Sequence, residues 1–265
     1  MKRTTYIIIG TLFFFMIVML AAIYYSWSGG YWNYSELRFS KVLTEKNISG
    51  IRVLRILRID ENQRGFMDGT VQVVSPLATD ENSLYYSKDL SKYMTETRSG
   101  DTLTIKINFS KDVLPKELVN KEIFFPRDIR FRVAADSTLK IISSSVDGLS
   151  LKVLGLKRDT MSFSFRGHMS VDSCSFRSVA FSGAYYSYTQ LKIRKSNISN
   201  LYMNADDLSW TVENSHIVTE YLSGERSENV HTWAKGECDK VVWKPKKIDA
   251  KFLVILGGET TVSFQ

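Results

Sequence analysis

Five apolar positions at offsets 0, 2, 7, 10 and 12 recur along the second half of this chain, and they limit its fold more than any other feature. One copy reads Leu139, Ile141, Val146, Leu149 and Leu151; a second reads Met169, Val171, Phe176, Val179 and Phe181; a third reads Leu191, Ile193, Ile198, Leu201 and Met203. A fourth keeps Trp210, Val212, Ile217 and Leu222 but puts Glu220 in an apolar slot. Residues two apart on a strand face the same side, so each copy reads as a short strand, a polar corner, one inward residue and a second strand. That is one coil of a β-solenoid, which buries its apolar side only by stacking on the next coil. The corners Ser143 to Ser145, Asp172 to Ser175, Ser196-Asn197 and Asn214-Ser215 carry small side chains that hydrogen-bond backbone in tight bends. An extra alternating strand, Met161 to Phe165, separates the first two copies.

The N-terminus adds a second constraint. Lys2 and Arg3 are followed by no charge until Glu36, and Tyr6 to Ser26 is apolar or aromatic apart from Gly10, Thr11 and Ser26. A helix rising about 1.5 Å per residue covers roughly the 30 Å of a bilayer core over this stretch. The spacing therefore predicts a single transmembrane helix over residues 6–26, a signal anchor. The positive-inside rule makes residues 1–5 cytoplasmic and everything beyond the helix periplasmic or extracellular. A signal peptide cleaved after Ser28 is the competing reading.

Beyond that helix about 235 residues remain, and apolar residues make up 44% of the chain, enough for a sizeable core. Of 35 basic residues two precede the helix, leaving 33 against 28 acidic. This mild excess suits an acidic glycan or lipid head groups, or is an ordinary solvated face. Nucleic acid is excluded as a partner by the expected side of the membrane. Cys174 and Cys238 lie too far apart for a C-x-x-C site. An oxidising compartment would let them pair, and a buried thiol at Cys174, beside Phe176, fits equally well.

Residues 27–47 read as a stalk, since Gly29-Gly30 ends a helix. Residues 48–232 read as one solenoid domain, in which Thr102 to Asn108 and Ile129 to Val133 alternate cleanly as half-buried strands. Residues 233–265 are lysine-rich, then carry two apolar runs around Gly257-Gly258, and read as cap strands that close the last coil.

The segment Gly100 to Ile107 with its Leu-Thr-Ile-Lys-Ile strand, the Ile-Arg-Phe-Arg-Val strand at 129–133, the Leu-Lys-Ile-Ile-Ser-Ser-Ser run at 139–145 and the Leu-Ser-Leu-Lys-Val coils that follow resemble the head GIN domain group of adhesin-like envelope proteins. The resemblance covers roughly residues 48 to 230. It implies an all-β chain in which the N-terminal helix leads into a right-handed parallel β-helix, exposed to the periplasm or cell exterior. Ser182-Gly183 and Ser223-Gly224 alone echo the family's repeated Gly-Ser-Gly corners. The family brings no catalytic motif.

No catalytic, cofactor or metal set emerges from the residues. His168, His216 and His231 fit no metal spacing, and there is no nucleophile elbow or phosphate loop. Asp206-Asp207 beside Asn204 reads as a solvated turn or as part of a calcium corner. Outward positions of the coils offer Tyr185, Tyr186, Tyr188, Lys192 and Tyr202 as a ligand face, because tyrosines stack on sugars and lysines pair with carboxylates; they serve equally as plain sheet surface. The sequence thus predicts a membrane-anchored binding or scaffolding module of the cell envelope, adhesin-like, with a glycan or protein partner. A polysaccharide lyase or hydrolase on the same scaffold, and a sensory ectodomain, are the alternatives.

Overall fold

The computed structural model describes residues 3–28, 34–59, 67–76, 82–110, 112–119, 123–183, 189–233 and 237–256. A helix, α1 (Arg3–Ser28), opens the chain; α2 (Lys116–Val119) and a 3-10 turn (Lys88–Tyr93) are short. The first strands are β1 (Tyr34–Arg38), β2 (Leu43–Asn47), β3 (Val53–Arg58), β4 (Gly69–Val74), β5 (Ser83–Ser87), β6 (Met94–Ser99), β7 (Thr102–Ile107), β8 (Ile123–Arg127) and β9 (Ile129–Ala134). There follow β10 (Ile141–Ser144), β11 (Leu149–Leu154), β12 (Lys157–Phe165), β13 (Met169–Asp172), β14 (Ser175–Ser182), β15 (Thr189–Arg194) and β16 (Asn197–Asn204). The last are β17 (Leu208–Glu213), β18 (His216–Gly224), β19 (Asn229–Trp233), β20 (Lys240–Pro245) and β21 (Phe252–Leu256).

From β10 to β18 the chain lays strands alternately into two large sheets, and each strand pairs in parallel with the one two places earlier. The nine-stranded sheet has the order β20-β18-β16-β14-β12-β10-β3-β7-β6, and the eight-stranded sheet β17-β15-β13-β11-β4-β9-β5-β2. Their inner faces share one core, in which Leu151, Val171, Phe163 and Phe181 are each at most 2% exposed. Strict alternation makes this possible: β13 and β14 bury every second residue over most of their length and leave the others towards solvent.

The corners before β12, β14, β16 and β18 are built alike. Gly155, Ser173, Lys195 and Asn214 all take positive φ, between 48° and 61°, a left-handed turn that costs a side chain about 1 kcal/mol or more. The residue after each then joins a ladder across the strands. The Leu156 amide donates to the Cys174 sulfur at 3.4 Å, the Cys174 amide to the Ser196 hydroxyl at 3.1 Å, and the Ser196 amide to the Ser215 hydroxyl at 3.1 Å. Backbone groups exposed by the bend are satisfied this way, and Cys174 acts here as a serine would.

Three expectations are corrected. The first concerns the single parallel β-helix. In the N-terminal half spatial order leaves chain order: β3 sits between β7 and β10, and β4 between β9 and β11. Antiparallel strands β6, β5 and β2 then close the edges. The result is two large mixed sheets with two small strand pairs, β1 with β8 and β19 with β21. β6 and β2 are themselves edges, and their charged side chains, Glu96 and Arg98 on one and Glu45 and Lys46 on the other, discourage further pairing.

The second concerns the membrane span at 6–26. The helix is present, but among the described residues no helix is long and apolar enough to cross a membrane. Gly10 and Thr11 interrupt its apolar character. The third is the phase of the first repeat. Ile141 is 39% exposed, and Leu151, Val153, Arg158, Met161 and Phe163 occupy the register of the later copies. Met161 to Phe165 is therefore part of a repeat and no insertion. The segments read as stalk and cap carry β1 and β2, and β20 and β21; residues 257–265 of the cap lie outside the described part.

Candidate functional site

The step from offset 7 to offset 10 is odd, so a strand that keeps both positions inward must bend between them. In β14, Phe176 and Val179 both point inward while Arg177 and Ser178 both lie towards solvent. The same bend repeats in β12, β16 and β18, where Asp159, Ser199 and Val218 occupy the exposed kink. Four bends side by side make a shallow groove of about 540 Å³ that runs across the strands, open to solvent.

Its lining is cationic. Lys157, Arg158 and Arg177 face one carboxylate, Asp159, and the row Lys157, Ser175, Asn197 and His216 follows the paired strands. His216 at its far end has Nε2 3.7 Å from the Asp239 carboxylate. Arg158 is the unusual member, since it takes the register position that Phe176, Ile198 and Ile217 fill with apolar side chains. Its guanidinium is held by backbone carbonyls: Nη1 donates to Lys157 at 2.7 Å and Nη2 donates to Ala135. Its Nε is buried with no acceptor. Burial lowers its pKa from the ordinary value and the nearby Asp136 charge works the other way. Asp136 itself is occupied by Asn82 and Thr138, whose hydrogen bonds hold it below the usual carboxylate range against the effect of burial.

A second cluster lies under the far end of the same sheet. Glu220 is fully buried in the inward row of Met161, Val179 and Leu201, and among the described residues only the Cys238 thiol bears on its carboxyl as a hydrogen-bonding group. Burial chiefly, then the charge of Glu237, push its pKa up to about 8, and the Cys238 thiol offsets this only in part. Glu237, 4% exposed, is by contrast well held. Its Oε1 accepts from Trp210 Nε1 at 3.1 Å and lies 2.7 Å from His231 Nε2, with the Trp210 and His231 rings stacked 4.0 Å apart. Among the described residues no group of His, Cys, Asp and Glu is placed to hold a metal ion.

Of the residues singled out from the sequence, Lys192 and Tyr202 lie on different sheets. Tyr185, Tyr186 and Tyr188 lie outside the described residues. Lys192 sits on β15 in the eight-stranded sheet with Nζ 2.5 Å from Glu213, whereas Tyr202 sits on β16 in the other sheet, stacked on Tyr221 at 4.6 Å. Asp206 is no calcium ligand in this arrangement. Its carboxylate accepts from the amides of Glu225 and Arg226 at 2.6 and 3.0 Å and from Asn229 Nδ2 at 2.9 Å, and these bonds hold it below its ordinary pKa despite burial. Its role is to pin the loop after β18. Cys174 and Cys238 are not joined; Cys174 Sγ lies 3.2 Å from the Asp172 carbonyl, and burial raises its pKa. The groove was missed in the sequence, although the three-residue step inside the repeat was its signal.

No family model matches the chain, and no curated protein does. Among solved structures, a candidate lipid-binding protein from Parabacteroides distasonis is 13% identical with a TM-score of 0.39, covering 85% of this chain and 98% of its own. A candidate adhesin from Parabacteroides merdae is 11% identical with a TM-score of 0.33, covering 84% and 99%. A candidate cell-adhesion protein from Clostridium sporogenes is 10% identical with a TM-score of 0.22, covering 81% and 97%. Likeness at these scores decides nothing about what this chain binds.

Proposed function

We propose that this chain is an adhesin-like binding module whose groove across β12, β14, β16 and β18 holds an acidic glycan. The observation that carries the reading is the cationic lining, Lys157, Arg158 and Arg177 against Asp159 alone. An extended chain laid across parallel strands meets an equivalent position about every 4.8 Å, so a repeating polymer finds repeated partners. Hydroxyl and amide groups at Ser175, Asn197 and Ser199 supply the neutral hydrogen bonds a sugar needs. The groove is shallow and open, which suits many weak contacts along a chain rather than enclosure of a small molecule. Hydrolysis of a glycosidic bond takes a pair of carboxyl groups flanking it, and this lining has one. A lyase or hydrolase remains the contrary outcome of the test.

The test is titration of the full chain with a length series of oligogalacturonates at low and moderate salt, with mass spectrometry of the sugar afterwards. Binding that tightens with length and weakens with salt, and drops about tenfold in a Lys157→Ala, Arg177→Ala double variant, is the expected result. Shortened sugars would replace the binding module with an enzyme. Equal binding by the double variant would remove the groove from the account.

A further inference from the structure

The outer face of the nine-stranded sheet carries, three residues beyond the groove's Asp159, Arg177, Ser199 and Val218, a step in side-chain size. Val53, Ile141, Ser162, Ala180, Tyr202 and Tyr221 form one outward row, in register across β3, β10, β12, β14, β16 and β18. At one end Tyr202 and Tyr221 stack at 4.6 Å with an 8° angle between rings, and Lys244 Nζ lies 5.5 Å from the centre of the Tyr221 ring. Tyr221 is thus covered on both faces. Tyr202, 41% exposed, is covered on one, because its neighbour on the other side is Ala180, whose methyl group cannot reach the height of a ring.

Next to Ala180 the row continues as Ser162 and then rises again at Ile141, 39% exposed. Between Tyr202 and Ile141 there is accordingly a trough two strands wide, with walls roughly 14 Å apart at the usual strand spacing. Its sides along the strands are hydroxyls, with Thr160 and Ser178 in one neighbouring row and Ser164 and Ser182 in the other. An aromatic wall over a floor of small hydroxyl side chains offers a sugar ring both things it needs, a π face for its C–H side and short donors and acceptors for its hydroxyls.

We infer that this trough is a stacking subsite for a pyranose ring, with Tyr202 as the platform and Ala180 as the floor. The ring would extend the Tyr221–Tyr202 stack by one rung at the sheet's own spacing. The subsite deepens the glycan reading, since it lies on the same outer face as the groove and would take a sugar of the same chain, but its contacts are uncharged. It therefore selects ring shape where the groove selects charge.

The two are separated by probing the trough with a neutral cello-oligosaccharide and watching the full-length protein by saturation-transfer NMR. Transfer to the sugar's ring C–H protons is expected, lost in Tyr202→Ala and also in Ala180→Tyr, which fills the gap with the protein's own ring while leaving Tyr202 in place. Because Ala180→Tyr adds to an outward position, retained unfolding behaviour is expected and is checked by thermal melting. For the acidic oligogalacturonate, either substitution should weaken binding about tenfold with its salt dependence unchanged. If wild type shows no transfer with either sugar, or if Ala180→Tyr binds both as wild type does, the subsite is overturned. If instead transfer persists while the Lys157→Ala, Arg177→Ala variant keeps full affinity for the acidic sugar, the groove fails and the subsite stands.

Discussion

Two charged residues interrupt inward rows of one parallel stack, Arg158 on its first bent strand and Glu220 on its last, and the structure treats them differently. Arg158 is long enough to carry its charge out of the apolar row to the carbonyls of Ala135 and Lys157 at the corner. Snorkelling of this kind leaves the stem among apolar neighbours and the head partly solvated. Glu220 has a shorter side chain and a neighbour, Glu237, already committed to Trp210 and His231. Only the Cys238 thiol favours its charged form, too little to offset burial, and the pKa is pushed up to about 8, since a buried carboxylate without a countercharge costs several kcal/mol. The same fold thus turns one break in its pattern into a fixed cation and the other into a neutral acid.

The largest expected effect is on stability against pH. Glu220 has a native pKa of about 8 against an ordinary 4.5. Below the lower value both native and unfolded chains are protonated there, and nothing changes. Between the two values the native chain holds a proton the unfolded chain has released, so stability falls as pH rises, by about 1.4 kcal/mol per pH unit. Above about 8 the loss levels off near ~5 kcal/mol. Urea unfolding at pH 5 and pH 8.5 should show this decline in wild type and a much flatter profile in Glu220→Gln. Equal slopes in both would mean that Glu220 is not the group responsible.

A smaller effect isolates the pair. Glu237→Gln keeps an oxygen to accept from Trp210 but removes the like charge facing Glu220. Burial, the larger cause of the shift, remains, so the midpoint of the decline should move only partway towards the ordinary value. The same titration reads the displacement as a decline that ends at lower pH than in wild type. A midpoint left in place would assign the whole shift to burial.

How much of this was legible beforehand differs between the two ends. Glu220 declared itself, because Val179 and Leu201 fill its slot in the preceding copies and a carboxylate there breaks the repeat. Arg158 did not. Starting the first copy at Leu139 put the repeat out of phase, and only the pairing of Leu151 with Met169 shows that Arg158 stands opposite Phe176. Alternation identifies inward residues but carries no information about which strands are neighbours. For that reason the run from β10 to β18 was readable as successive rungs, while the placement of β3 and β4 between β7, β9 and β10, β11 was not. The ladder through Cys174, Ser196 and Ser215 was half readable: small polar corners were expected, but a sulfur serving as a rung was indistinguishable from a disulfide partner.

The smallest effect on stability should come from Arg158→Met, and it is the most telling about function. Methionine suits the apolar row that Phe176, Ile198 and Ile217 fill, and it removes the buried Nε that lacks an acceptor. Against this, the Ala135 and Lys157 carbonyls each lose a donor, at about 1 kcal/mol or more apiece, Ala135 being fully buried. The terms nearly cancel, so unfolding free energy should change by less than about 1 kcal/mol. Binding should not be spared in the same way. A guanidinium pinned by backbone carbonyls has already lost its rotamer freedom, so an acidic sugar meets it without a further entropic cost. Oligogalacturonate affinity should fall about tenfold and its salt dependence should flatten, a combination that a merely structural arginine would not produce. Loss of stability with affinity intact would make Arg158 a corner brace and leave Lys157 and Arg177 as the groove's cations.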